Sequence, residues 1–150
     1  MRIVVQRVLR SSVEIGGQLR SQIGRGLLVL VGICAEDGME DIEWLAGKLL
    51  RLRIFDDEQG VMNLDVAQAG GQIMVVSQFT LMASTRKGNR PSYIKAAPEA
   101  ISRPLYEAFV ECVGRMSGTQ PATGEFGADM QISLVNDGPV TIIIDSRNRE

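Results

Sequence analysis

Apolar and polar positions change period several times along the chain, and each change marks an element. Residues 3–8 are rich in β-branched and apolar side chains and predict a buried strand. Residues 12–15 alternate, meet Gly16-Gly17 and resume over 18–23, the pattern of a hairpin. Residues 26–32 form an unbroken apolar run between glycines, which predicts a central strand. From 39 to about 53 the period becomes helical: Ile42, Leu45, Ala46, Leu49 and Leu50 share one face, opposite Glu40, Glu43 and Lys48. Residues 55–71 begin and end on turn-forming residues and predict a loop, and 72–81 read as another buried strand. A polar segment with Gly88 and Pro91 fills 84–97. A second helical stripe then runs through Ile101, Leu105, Ala108, Phe109, Cys112, Val113 and Met116. Pro98 suits its first turn, whereas Pro104 predicts either a kink or a later start. Residues 130–134 alternate as a strand, 136–139 predict a turn, and 140–144 return.

No repeat, low-complexity tract or linker divides the chain. Two helices among many strands predict an α+β fold: an antiparallel-rich or barrel-like sheet with two main helices, one domain over residues 1–150. Spare sheet edges in such a domain are expected to be hidden by formation of a homodimer.

Composition narrows the chemistry mainly through a zero. The 150 residues contain no histidine, which removes Ser-His-Asp and Cys-His machinery, histidine-based zinc sites and an imidazole base. Cys34 and Cys112 lie far apart in apolar runs and read as small core residues of a reducing compartment. With neither histidine nor a cysteine cluster, no catalytic metal and no cofactor are expected. The first residues are too short and polar a run for a signal peptide, and no apolar stretch approaches the ~20 residues that span a bilayer. A soluble, cytoplasmic protein without membrane contact is the expectation. The net charge of −2 offers no global basic field, so a nucleic-acid partner would have to be gripped locally.

Three segments are unusual for scaffolding. In Ser77-Gln78-Phe79-Thr80-Leu81 an apolar strand ends in three hydrogen-bonding side chains; the plain alternative is a strand running into its turn. Asn136-Asp137-Gly138-Pro139-Val140-Thr141 holds a Gly-Pro pair that by itself reads as punctuation. Residues 84–97 carry Arg86, Lys87, Arg90 and Lys95 with no acidic residue among them and Tyr93 between the last two. That is a phosphate-seeking patch with one stacking candidate, or else a solvated loop.

Together these segments closely resemble the D-aminoacyl-tRNA deacylase family along nearly the whole chain. The resemblance rests on the signature stretches 77–81 and 136–141. Gln6-Arg7-Val8, Arg53-Ile54-Phe55, Met62-Asn63-Leu64, Arg90-Pro91-Ser92 and residues 124–130 add to it, in order. It implies a homodimer that hydrolyses the ester joining a D-amino acid, or glycine, to the terminal adenosine of tRNA. By the same resemblance Ser77, Gln78, Phe79 and Thr80 form the catalytic stretch. Backbone N–H groups around Phe79 and Thr80 hold the carbonyl, and the RNA 2′-hydroxyl assists attack. A cis Gly138-Pro139 pair, braced by Arg7, is expected to reach into the partner's site and exclude L side chains. Phe126, Gly127 and Met130 are expected beside the adenosine, and Arg86, Lys87 and Arg90 beside the tRNA backbone.

Three alternatives stay open at this stage. The Thr80 hydroxyl could act as a nucleophile, although no base to activate it is evident. A dimeric RNA-end or nucleotide-binding module would use the basic loop without turnover. An unrelated amidase or esterase would lack a recognisable base.

Overall fold

The computed structural model describes residues 1–149. Its longest elements are two strands that lie side by side. β1 (Arg2–Ile15) pairs antiparallel with β8 (Gln131–Asp145), from Arg2 against Asp145 to Glu14 against Gln131, with register shifts between Gln6 and Arg10. On its other edge β1 pairs with two strands in turn: β3 (Gly26–Gly32) over residues 2–8 and β2 (Gln18–Ile23) over residues 11–15. β6 (Gln72–Ser77) then runs parallel to β3, and the short β7 (Ala122–Thr123) parallel to β6. The Ser21 hydroxyl of β2 donates to the Thr123 carbonyl of β7 at 2.7 Å, which draws the free edges together into a nearly closed barrel.

The remaining elements cover the barrel. α1 (Met39–Leu50) and α2 (Glu99–Ser117) pack on each other. Their inward residues Ile42, Leu45, Leu49, Phe109 and Val113 are buried in one core with Ile3, Val5, Leu27, Val29 and Val75. Val8, Val13, Leu28, Met74 and Val76 point to the opposite face of the sheet and form a second, smaller cluster. Alternation along the strands thus feeds two cores.

Four expectations need correction. β1 is one continuous strand, because both of its halves find antiparallel partners on each edge. Residues 55–71 are more ordered than a loop: β4 (Phe55–Asp56) and β5 (Met62–Leu64) pair as a small hairpin. The strand expected over 72–81 stops at Ser77 and becomes a 3-10 turn, Phe79–Met82. Residues 136–139 do not reverse the chain, since both flanking segments pair with β1 in the same direction. Pro104 sits inside α2, and the helix starts before it, at Glu99 with Pro98 as N-cap. The sheet is antiparallel-rich as expected, with two parallel pairs added. Among the described residues no helix is long and apolar enough to cross a membrane.

Candidate active site

A concavity with both polar and apolar lining lies where β6 leaves the sheet. It has a volume of about 290 Å³, and its lining includes Ser77, Gln78 and Phe79, Ala97 and Ser102, and the stretch from Phe126 to Met130. Residues about fifty positions apart in sequence therefore share one wall-to-wall space. The floor is apolar, made by Val31, Ile33, Val76 and Ile132, and Asp129 is the one ionisable residue of the lining.

Gly32 makes room for the turn that forms the upper wall. A Cβ there would stand 2.8 Å from the Leu81 Cβ and 3.1 Å from the Gln78 carbonyl oxygen, so only glycine lets β3 and the turn meet. The turn is also tied from β1, where the Arg2 guanidinium donates to the Leu81 carbonyl at 3.0 Å while pairing with Asp145 at 2.9 Å. Gln78 N–H continues the ladder to the Val31 carbonyl, and Leu81 N–H returns to the Gln78 carbonyl. Phe79 and Thr80 are the first two residues of the turn, whose N–H groups cannot be satisfied from within it. The Gln78 amide donates to the Thr80 hydroxyl oxygen at 2.6 Å. That contact occupies a lone pair of the hydroxyl with a group unable to take its proton.

The opposite wall is held by α2. Tyr106 donates to the Val75 carbonyl at 2.9 Å, and its ring packs on Phe126 at 5.6 Å. Burial, reinforced by Glu107, pushes its phenol up to about 12, so it stays a neutral donor. The Arg103 guanidinium lies over the Phe126 ring at 4.9 Å. Cys34, near this end of the sheet, contacts Met82 sulfur at 3.5 Å, and burial followed by the charge of Asp37 raises its thiol above the ordinary value. A protonated thiol without a base is a packing residue, as its sequence setting suggests.

Arg7 and the Gly138-Pro139 pair form a second, separate arrangement. Arg7 is buried; its Nε donates to the Asp137 carbonyl at 3.0 Å and Nη1 to the Ile54 carbonyl at 2.6 Å, with Asp56 and Asp137 carboxylates each at 3.3 Å. The Asn136 side chain closes the loop, accepting from Val140 N–H at 2.8 Å and donating to the Val140 carbonyl at 3.2 Å. This amide replaces a strand neighbour, which is why the chain leaves the ladder at 137–139 and rejoins it. The Gly138–Pro139 peptide bond is cis, Gly138 has φ +139°, and both residues are exposed.

Of the residues singled out from the sequence, Ser77, Gln78, Phe79, Phe126, Gly127 and Met130 meet in the pocket lining. Thr80 adjoins it through Gln78, whereas Arg7, Gly138 and Pro139 stand outside this chain's own lining. Arg86, Lys87 and Arg90 are exposed on the 84–97 loop, which reaches the pocket edge through Tyr93 on Phe79 at 5.0 Å. Asp56, Asp137 and the Ile54 carbonyl as partners of Arg7, and Ser102 and Asp129 in the lining, were not singled out. The stretches 136–141 and 124–130 of the resemblance contain Asp137 and Asp129 without giving either a role, and the Arg53-Ile54-Phe55 piece contains Ile54 and adjoins Asp56. Among the described residues no three of Cys, Asp and Glu converge as metal ligands.

Comparison with known proteins fixes the class. The profile of D-Tyr-tRNA(Tyr) deacylase matches residues 4–145. Over 150 residues, all of both chains, the sequence is 66% identical to the D-aminoacyl-tRNA deacylase of Parabacteroides distasonis and 61% identical to that of Bacteroides thetaiotaomicron. A solved structure titled c-Myc DNA Unwinding Element Binding Protein superposes with a TM-score of 0.91 at 41% identity, covering 97% of this chain and 98% of that one. A probable eukaryotic D-amino acid tRNA deacylase shares the fold, with a TM-score of 0.81 at 17% identity, covering 95% and 97%. The protein is therefore an enzyme, a carboxylic ester hydrolase of small barrel-like architecture. It belongs to the D-Tyr-tRNA(Tyr) deacylase family.

Proposed function

We propose that the protein hydrolyses the ester of D-aminoacyl-tRNA, and of glycyl-tRNA, to the free amino acid and tRNA, in the cytoplasm and as a homodimer. The observation that carries this reading is the meeting of residues 77–79 with residues 126–130 around one pocket. In the mechanism, the N–H groups of Phe79 and Thr80 receive the carbonyl oxygen and the negative charge it develops. Water adds to the carbonyl carbon, assisted by the 2′-hydroxyl of the terminal ribose. The bond to the 3′-oxygen then breaks, and that oxygen leaves with a proton as the 3′-hydroxyl. Phe126, Gly127 and Met130 border the adenosine. Thr80 positions rather than attacks, since its hydroxyl faces an amide donor and has no base.

Chirality is selected by the Gly138-Pro139 pair of a second copy. Supporting this, the pair is exposed, lies outside the lining of its own chain and is anchored from behind by Arg7. The outward faces of Leu134 and Ile143 on the same strand, 37% and 67% exposed, supply apolar surface for that second copy. Backbone carbonyls placed against the α-carbon accept an ammonium and collide with an L side chain, while glycine has nothing to exclude.

The test compares release of amino acid from D-tyrosyl-, glycyl- and L-tyrosyl-tRNA. Rapid release from the first two and none above background from the third is expected. Tight RNA binding without release would replace the enzyme with a binding module, a reading for which the exposed basic loop is the one observation. Equal D and L rates would remove the selection mechanism.

A further inference from the structure

The 84–97 loop carries an arrangement that ester hydrolysis at the pocket does not use. Its ends are pinned twice. Ser84 and Ser92 exchange both backbone hydrogen bonds, at 2.8 and 2.9 Å, and Cys34 and Ala96 form a bridge beside the bond from Ala97 N–H to the Ile33 carbonyl. Tyr93 and Ile94 sit between the two pins. Tyr93 packs edge-on against Phe79, ring centroids 5.0 Å apart at 69°, yet stays 39% exposed; Phe79 is 57% and Ile94 90% exposed. An apolar, aromatic step therefore stands at the pocket rim on a held backbone. The same loop carries Arg86, Lys87, Arg90 and Lys95, all exposed, and among the described residues none of the four forms an ion pair.

We infer that Tyr93, supported by Phe79 and Ile94, is a stacking platform for the unpaired base that precedes the terminal adenosine of the tRNA acceptor end. The flanking cations hold the phosphates on either side of that base. The inference rests on the deacylase reading for the position of the terminal adenosine. Charge decides the occupant: a bare apolar patch invites a protein surface, but four unpaired cations with no carboxylate among them favour a polyanion. A flat aromatic ring among such cations matches a single-stranded nucleotide, because every base offers a π-face whatever its sequence. Pinning the loop at both ends means that little order has to be gained on binding.

The platform is tested on the full-length dimer or monomer as it exists in solution, with two readouts. First, an uncharged acceptor-end minihelix carrying 2-aminopurine at the penultimate position should lose fluorescence on binding the unmodified protein. Tyr93→Ala should abolish that quenching, and Tyr93→Phe should restore it. Second, the ratio of kcat/KM on D-tyrosyl-tRNA to kcat/KM on D-tyrosyl-adenosine, which lacks the preceding base, should fall at least about five-fold in Tyr93→Ala, the lower range for one base–aromatic stack. Equal losses on both substrates would reduce Tyr93 to a prop for Phe79 and overturn the platform. So would unchanged quenching, or a change of oligomeric state in Tyr93→Ala, which would mean that a second copy covers the patch. If the unmodified protein hydrolyses neither substrate, the deacylase reading fails by itself, and the quenching result still decides the platform.

Discussion

Replacing Arg7 by lysine keeps the charge and removes the fork, which makes it a sharp probe of the link between the barrel and the exposed loop. The guanidinium reaches two carbonyls in different segments at once, Ile54 in the approach to β4 and Asp137 before the Gly-Pro pair, with two carboxylates alongside. A lysine ammonium gathers its three donors on a single nitrogen and cannot occupy both the Nε and the Nη1 position. Hydrogen bonds to charged groups are worth about 1.5–3 kcal/mol each, and an acceptor left buried costs its desolvation. Asp56 is about half exposed and regains water, which returns part of the loss. The net expectation is a destabilisation of about 2–3 kcal/mol in urea unfolding, with an unchanged m-value. The same loosening should act on selectivity: the ratio of D- to L-tyrosyl-tRNA hydrolysis should drop more than the D rate itself. A variant as stable as the parent with an intact D/L ratio would refute the bracing role. A variant that is destabilised yet equally selective would leave Arg7 a purely structural residue.

Gly138→Ala places a Cβ 2.7 Å from Val140 Cγ2 and 2.9 Å from the Val140 nitrogen at a φ of +139°, so a cost of about 1–3 kcal/mol and a marked fall in D-substrate turnover are expected; Gly17→Ala, also at positive φ but with open space around it, serves as the stability control without loss of turnover. Thr80→Val should keep most of its activity, whereas a substrate ending in 2′-deoxyadenosine should react far more slowly; a folded, substrate-binding but inactive Thr80→Val would restore the hydroxyl as nucleophile. Tyr106 keeps its proton to about pH 12 when folded and to about 10 when unfolded, so its contribution is whole below pH 10 and is lost as pH rises toward 12. The unmodified protein should thus lose up to about 3 kcal/mol more than Tyr106→Phe over that range, while at pH 7 the variant is the less stable by about 1 kcal/mol through the missing bond to Val75.

Local pattern carried most of the fold. Both helices, the hairpin over Gly16-Gly17 and the buried run of β3 lie where periodicity places them, because each writes its burial into its own residues. The errors share a different origin. Whether 136–139 turns the chain back depends on β1 lying beside both flanks, and no residue of that segment records it. The closing of the barrel likewise depends on β7, two residues long, lying parallel to β6. Ending β6 at Ser77 depends on the space left by Gly32 on the adjacent strand. Pairings between distant segments decide these features, and local propensity yields to them.

The candidate site was legible for a related but distinct reason. Its proposed chemistry belongs to backbone N–H and carbonyl groups at Phe79, Thr80 and Gly138, which every sequence possesses and no composition reveals. Side chains enter mostly as supports: the Gln78 amide on Thr80, the Asn136 amide on Val140, Arg7 on the Asp137 carbonyl and Tyr106 beneath Phe126. Residue-by-residue reading favours the bland interpretation of each of these, since an amide or a Gly-Pro pair is ordinary in isolation. What distinguishes them is their order along one chain, which is why motif strings identified the family while the missing histidine only excluded its competitors. Partners that act through backbone carbonyls, such as Ile54 for Arg7, stay invisible to either approach until the strands are in register. On the proposed mechanism selectivity lies in loop geometry, so the substitutions expected to change it most are those that move the backbone, Arg7 and Gly138 before Thr80.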